Sequence, residues 1–226
     1  MKKRLNGIIL VILTVVLSFS FITCEDKDTI FDLHDNGHTF RGSIECIFCG
    51  HIYNIGDVGP GGGIIFYIDS DGFEFKLPAG ELTVKRYYLE VSPNDLGKLA
   101  WDSEEEEPAT ISGLQEDLGY GRLNTTNILK EVPNAPAAKA CNNYRGGGKA
   151  DWFLPTIEEL EKLYDNLDET DISNLKTDVN ESYWSSTVTS AGAGATTSAD
   201  FLSFNNGFTS KTLKTDSHYV RAIRAF

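Results

Sequence analysis

Residues Asp151–Tyr164 read DWFLPTIEELEKLY, and this run holds a strand end, a stop and a helix start together. Pro155 has no N–H to give a sheet ladder and pushes Leu154 towards extended backbone, so the β-like text before it ends there. Thr156 then stands at an N-cap position, and Glu159, three residues on, is placed to be its partner in a capping box. Ile157, Leu160, Leu163, Tyr164 and Leu167 recur at spacings of three and four, which sets them on one helix face, while Glu158, Glu161 and Lys162 turn away. That apolar face needs a sheet to cover.

The text on either side supplies one. Ahead of the stretch, Asn124 or Thr125 is placed to cap a short helix bearing Ile128, Leu129 and Val132. A second helix follows Pro136, with a small close-packing face of Ala137, Ala138, Ala140 and Cys141, and ends at Asn142-Asn143-Tyr144-Arg145 and three glycines. Further upstream, Gly59-Pro60-Gly61-Gly62-Gly63 leads into Ile64–Ile68, and Asp69-Ser70-Asp71-Gly72 predicts a hairpin turn into Phe73–Leu77. A phosphate-cradling loop would need a helix after its glycines; a strand follows here, so nucleotide binding is excluded. Thr83–Val91 is another β-rich segment. After the stretch, Tyr183-Trp184-Ser185-Ser186-Thr187 reads as a short strand, and Phe201, Phe204 and Phe208 around Asn205-Asn206-Gly207 mark a hairpin. The closing segment His218–Phe226, HYVRAIRAF, stays β-like to the last residue and is predicted to pair with Gly63–Ile68.

The N-terminus reads as an address. Lys2, Lys3 and Arg4 precede an uncharged apolar run from Ile8 to Phe21, which is short for a membrane span of about 20 residues and suits an export signal. Phe21-Ile22-Thr23-Cys24 resembles a relaxed lipobox of the kind found in spirochaete lipoproteins, which implies removal of residues 1–23, a lipid on Cys24 and a membrane as partner. Residues 24–52 have few apolar residues and no sustained period, so they read as a polar tether. Cys46 and Cys49 sit in it at metal-ligand spacing, but only half a zinc site is visible. Outside the cytoplasm a disulfide, with each other or with Cys141, is the leading fate, and a free thiol and a metal site are the alternatives. The chain carries 33 acidic against 20 basic residues, net charge −13. Coulomb repulsion therefore disfavours nucleic acid and other polyanions as partners.

GPGGGIIFY, GYGRLNTTNI, DWFLPTIEELEKLY, YWSST and YVRAIRAF, in this order, resemble the C-terminal domain family of the Legionella collagen-like adhesin over about residues 53–226. The resemblance implies an α+β domain of the C-type-lectin-like fold, in the branch shared with formylglycine-generating enzymes, with two main helices, short antiparallel strands, paired terminal strands and long loops presenting a ligand face. It also implies adhesion, and for the adhesin itself a sulfated polysaccharide ligand, which the acidic charge of this chain opposes. Calcium-dependent lectins of the wider fold pair a carboxamide with a carboxylate around a proline; Val132-Pro133-Asn134 lacks the acid, so no metal and no other cofactor is expected.

The resulting expectation is an exported, lipid-anchored envelope protein, held at the cell or outer membrane and exposed at its surface, that recognises a glycan or protein. A structural envelope component without a small ligand is the alternative. Trp152, Tyr183 and Trp184 are the candidate contacts, since aromatic faces suit sugar rings and interface hot spots, although beside apolar neighbours they suit a core equally. Arg145, Asp151 and Asp200 are the polar candidates, as ligand contacts or as buried ion pairs. Catalysis is not expected. Asp216-Ser217-His218 has the letters of a hydrolase triad, but adjacent residues of an extended segment point to alternate faces, and no cysteine follows Cys141 to match the formylglycine-generating pair.

Overall fold

A computed structural model describes residues 44–45, 50–78, 82–103, 111, 113–166, 170, 172, 174–188 and 197–226. Its elements are β1 (Ile64–Lys76), β2 (Thr83–Val91), β3 (Gly97–Ala100), α1 (Gly121–Glu131), α2 (Pro136–Asn143), α3 (Ile157–Asp165), β4 (Tyr183–Trp184), β5 (Ser198–Ser203), β6 (Phe208–Leu213), β7 (Ser217–Val220) and β8 (Ile223–Ala225), with a 3-10 turn at Gly146–Gly148. The fold is α+β, with an antiparallel sheet ordered β1-β2-β8 and a mixed sheet ordered β3-β7-β4-β5-β6. Three α-helices are present among the described residues, where the resemblance implied two.

The capping box forms. Thr156 Oγ1 accepts from Glu159 N at 3.1 Å, and Glu159 Oε2 accepts from Thr156 N at 2.8 Å. α3 then lays Leu160 and Leu163 against Phe66, Leu89, Phe153 and Leu202, contributed from both sheets, so the helix closes the main core between them. Ahead of Pro155 the chain makes an isolated bridge, Phe153 to Ile223, in place of a strand. A second core gathers Ile128, Cys141, Trp152, Trp184 and Val220 beneath α1 and α2.

Three sequence expectations are corrected. α1 starts at Gly121, so Asn124 and Thr125 lie inside it instead of capping it. Their side chains serve tertiary contacts: Asn124 Nδ2 donates to Gln115 O at 2.7 Å, and Thr125 Oγ1 accepts from Leu154 N at 2.9 Å. The predicted hairpin at Asp69–Gly72 is an irregularity within β1, because both halves of β1 pair with one continuous partner, β2. Asp69 Oδ1 accepts from the N–H groups of Asp71 and Gly72 and so satisfies the bulging backbone. The closing segment does not pair with β1: it divides at Arg221-Ala222, with β7 between β3 and β4 in one sheet and β8 on β2 in the other. The terminal strands β1 and β8 thus flank the same partner and are not paired with each other. The cause is the buried Arg221, whose Nε reaches Asp95 Oδ1 and whose Nη2 reaches Asn174 Oδ1, each at 2.8 Å. The segment ahead of the domain touches it at Ile44: Tyr88 Oη donates to Ile44 O at 2.6 Å, and Tyr53 packs edge-on against Tyr88 and Phe226.

Candidate functional site

The aromatic candidates belong to the core. Trp152, Tyr183 and Trp184 are each 0% exposed and present no ring to a ligand. Each buried polar tip is satisfied internally, as burial demands. Trp152 Nε1 donates to Gly146 O at 3.2 Å, Trp184 Nε1 to Leu99 O at 2.9 Å, and Tyr183 Oη to Asp95 Oδ1 at 3.0 Å. Burial pushes the Tyr183 phenol well above its ordinary range.

The polar candidates hold loops. Asp151 pairs with Arg224 Nε at 2.6 Å, and Arg224 Nη1 continues to Glu90 Oε1 at 2.7 Å. Glu90, fully buried, accepts in turn from Gly61 N and Gly63 N at 3.0 Å. A Cβ at Gly61 would fall 2.6 Å from Glu90 Oε1 and 2.7 Å from the Trp152 ring, so the glycine turn is shaped by a carboxylate and an indole pressed against its backbone. Arg145 is exposed and donates to Asn142 O and Tyr144 O at the end of α2. Asp200 is buried, and its carbonyl accepts from Ser185 N and Ser185 Oγ. These six residues do not converge on one site. Cys141 is a free, fully buried thiol raised well above its ordinary pKa by burial, which corrects its candidacy for a disulfide. Cys24, Cys46 and Cys49 lie outside the described residues.

Among the described residues, two concavities stand out on the surface. The larger, about 580 Å³, runs between α3 and β6 and is walled by Glu116, Asp117, Glu158, Glu161 and Asp200. Burial, together with the charges of Glu158 and Asp165, raises Glu161, and Glu158 Oε2 already accepts from Leu118 N at 2.7 Å. No aromatic ring lines it, and among the described residues no three Asp, Glu, His or Cys side chains form a metal-ligand set.

The smaller, about 300 Å³, is chemically mixed and lies beside the β5–β6 hairpin. Phe208 and Val179 are 59% and 79% exposed at its rim, large apolar groups that monomeric domains usually cover. Asn180, Asn205 and Asn206 bring amides, and Glu181 brings a carboxylate. His218 stacks on Phe201 at 4.8 Å and 14°, meets Trp184 edge-on at 4.4 Å, and shares a short hydrogen bond between Nδ1 and Ser182 Oγ, so the ring is fixed. Burial lowers its pKa against the pull of Asp216, leaving the imidazole neutral at neutral pH. Glu181 Oε1 accepts from Tyr219 Oη at 3.0 Å.

The hairpin places the rim. β5 and β6 pair from Ser198↔Leu213 to Ser203↔Phe208, and Gly207 turns at φ 68°. The Phe/Asn-Asn-Gly pattern that identified the hairpin thus also carried the site, but read for turn chemistry alone it gave no hint of which aromatic would stay outside. Nothing local marked Glu181, and His218 was met only within the Asp216-Ser217-His218 run set aside as a triad; β4 and β7 bring the two together from 37 residues apart by pairing in parallel at Tyr183↔Tyr219. The model of the Lcl C-terminal domain family matches residues 94–224, a span that contains the whole recess and leaves β1 and β2 outside. No curated protein matches the chain.

Proposed function

We propose, since this chain belongs to the Lcl C-terminal domain family, that its adhesin-related domain is a lectin-like binding module which takes a glycan in the recess beside the β5–β6 hairpin. The observation that carries this reading is the lining: exposed apolar faces of Phe208 and Val179 next to the amides of Asn180, Asn205 and Asn206. An aromatic face stacks on the C–H side of a sugar ring while donors and acceptors together hold hydroxyls. The α+β architecture, with two small sheets and a closing segment shared between them, supports a C-type-lectin-like assignment. The leader and Cys24 support an exported, lipid-anchored protein with the domain held off the membrane by the tether. We further read the role as binding without catalysis. Among the described residues the free thiol, Cys141, lies on the buried face of α2, so a thiol chemistry would have no access.

The test is a glycan and matrix-protein array probed with the full-length chain and with Phe208→Ala. Binding to a glycan that falls at least about tenfold in the variant, with an unchanged thermal midpoint, supports the reading; an aromatic contact of this kind contributes on that order. Binding to proteins alone, or binding indifferent to Phe208→Ala, would sink it.

A further inference from the structure

We propose that Glu181 is the specificity-determining residue of this recess and makes it select an uncharged glycan over a sulfated or carboxylated one, an inference that rests on the glycan-binding reading above. Of the residues that line the recess, Glu181 alone carries a fixed charge, and no lysine or arginine is among them. A ligand sulfate placed there meets a like charge inside a partly dehydrated cleft, where screening is weak.

The same carboxylate asks for a donor. Its Oε1 is satisfied by Tyr219, but Oε2 is buried without a hydrogen-bond partner. A buried acceptor left unpaired is costly and uncommon, and the terminal torsion of a glutamate is soft, so a small rotation turns this oxygen towards an occupant. A sugar hydroxyl or an amide N–H can satisfy it; a sulfate or carboxylate brings acceptors alone. The neighbouring amides are suited to the same ligand. Asn205 Nδ2 gives one N–H to Thr177 O at 3.0 Å and Asn206 Oδ1 accepts from Phe208 N at 3.1 Å, which leaves the Asn205 amide oxygen and the Asn206 N–H₂ to face an occupant. Amide acceptors and donors with one carboxylate beside an exposed ring match a neutral polyhydroxylated ring.

The experiment is calorimetric titration of the full-length chain with chitotriose, cellotriose and maltotriose and with the O-sulfated form of each, for wild type, Glu181→Gln and Phe208→Ala. The expected result is that at least one neutral trisaccharide binds roughly tenfold or more tighter than its sulfated form, since one like charge at contact distance exceeds the 1.4 kcal/mol that a factor of ten represents. Glu181→Gln should bring that ratio close to one. If Glu181→Gln fails to fold, wild type alone decides: the preference for the neutral form should persist as salt is raised, because a contact inside the cleft is screened little, whereas a preference that salt abolishes belongs to the net charge of the chain and overturns the inference. A sulfated form that binds tighter to wild type overturns the inference. So does a ratio that Glu181→Gln leaves unchanged while Phe208→Ala abolishes binding, and in that case the recess keeps its role. Absence of binding to every trisaccharide, or binding indifferent to Phe208→Ala, brings down the site and this inference together.

Discussion

Glu159 is the residue on which two helices depend. Its carboxylate completes the α3 capping box through Thr156 N and also reaches Gly119 N at 3.0 Å, at the entrance to α1, which has no side-chain cap of its own. Full burial pushes its pKa up to about 7 against those backbone donors. The folded protein therefore binds a proton that the unfolded chain, near 4.5, has released. Stability should fall as pH rises between those values and level off above, by at most roughly 3 kcal/mol. Denaturant unfolding at pH 5, 6 and 7.5 reads this slope, and Glu159→Gln should flatten it while lowering stability at pH 5, because its amide N–H₂ meets donors. A slope that survives in the variant assigns the titration elsewhere. His218 works in the opposite sense, its lowered pKa meaning that stability falls as pH drops below 6.5. Protonation would also place a cation in the recess, beside Glu181 and within reach of Asp216 and Lys98. Discrimination against sulfated sugars should therefore weaken as pH falls through that lowered pKa, as the same titrations along a pH series would show.

At the scale of elements, the β5–β6 hairpin is held by its turn as much as by its ladder. Gly207 sits at φ 68°, and a Cβ there would lie 2.6 Å from Cε1 of Tyr164 on α3. Gly207→Ala combines left-handed strain with a clash against the helix, and should cost about 1–3 kcal/mol and move the Phe208 rim. Thermal melting and Phe208 side-chain chemical shifts test both halves of that statement. Thr156→Ala removes the local cap of α3 and should cost about 1 kcal/mol without touching the recess. α3 was readable because everything that starts it lies within four residues: Pro155, Thr156 and Glu159. The N-cap of α1 was misplaced by at least four residues, from Tyr120 to Asn124, because the backbone at its entrance is held by Glu159, 38 positions beyond its first residue, and no propensity at Asn124 reports such a partner.

At the scale of the molecule, the first described residues and the closing strand meet on one face. Phe226 O accepts from both Tyr87 N and Tyr88 N, its ring stacks on Tyr88 at 5.2 Å, and Tyr53 closes over both. Phe226 is half-buried, so deleting it should cost about 1–3 kcal/mol, less than losing a fully buried aromatic, and should free the segment around Ile44 and Tyr53 to proteolysis. An unchanged cleavage pattern would show that the segment is held by other contacts. The recess lies beside the other sheet, away from this closure. By itself the sequence determined the family, the α+β class, the limits of β2 and the existence of α2, α3 and the β5–β6 hairpin. Each of these rests on neighbours within a few residues: a proline, a cap, an apolar period, an Asn-Asn-Gly turn. Which aromatics face inward, where the closing segment changes sheets and which side chains form the recess were decided only by tertiary structure. Trp184 and Phe208 are equally apolar in the text, and it is the β4–β5–β6 pairing that buries one and leaves the other at the surface.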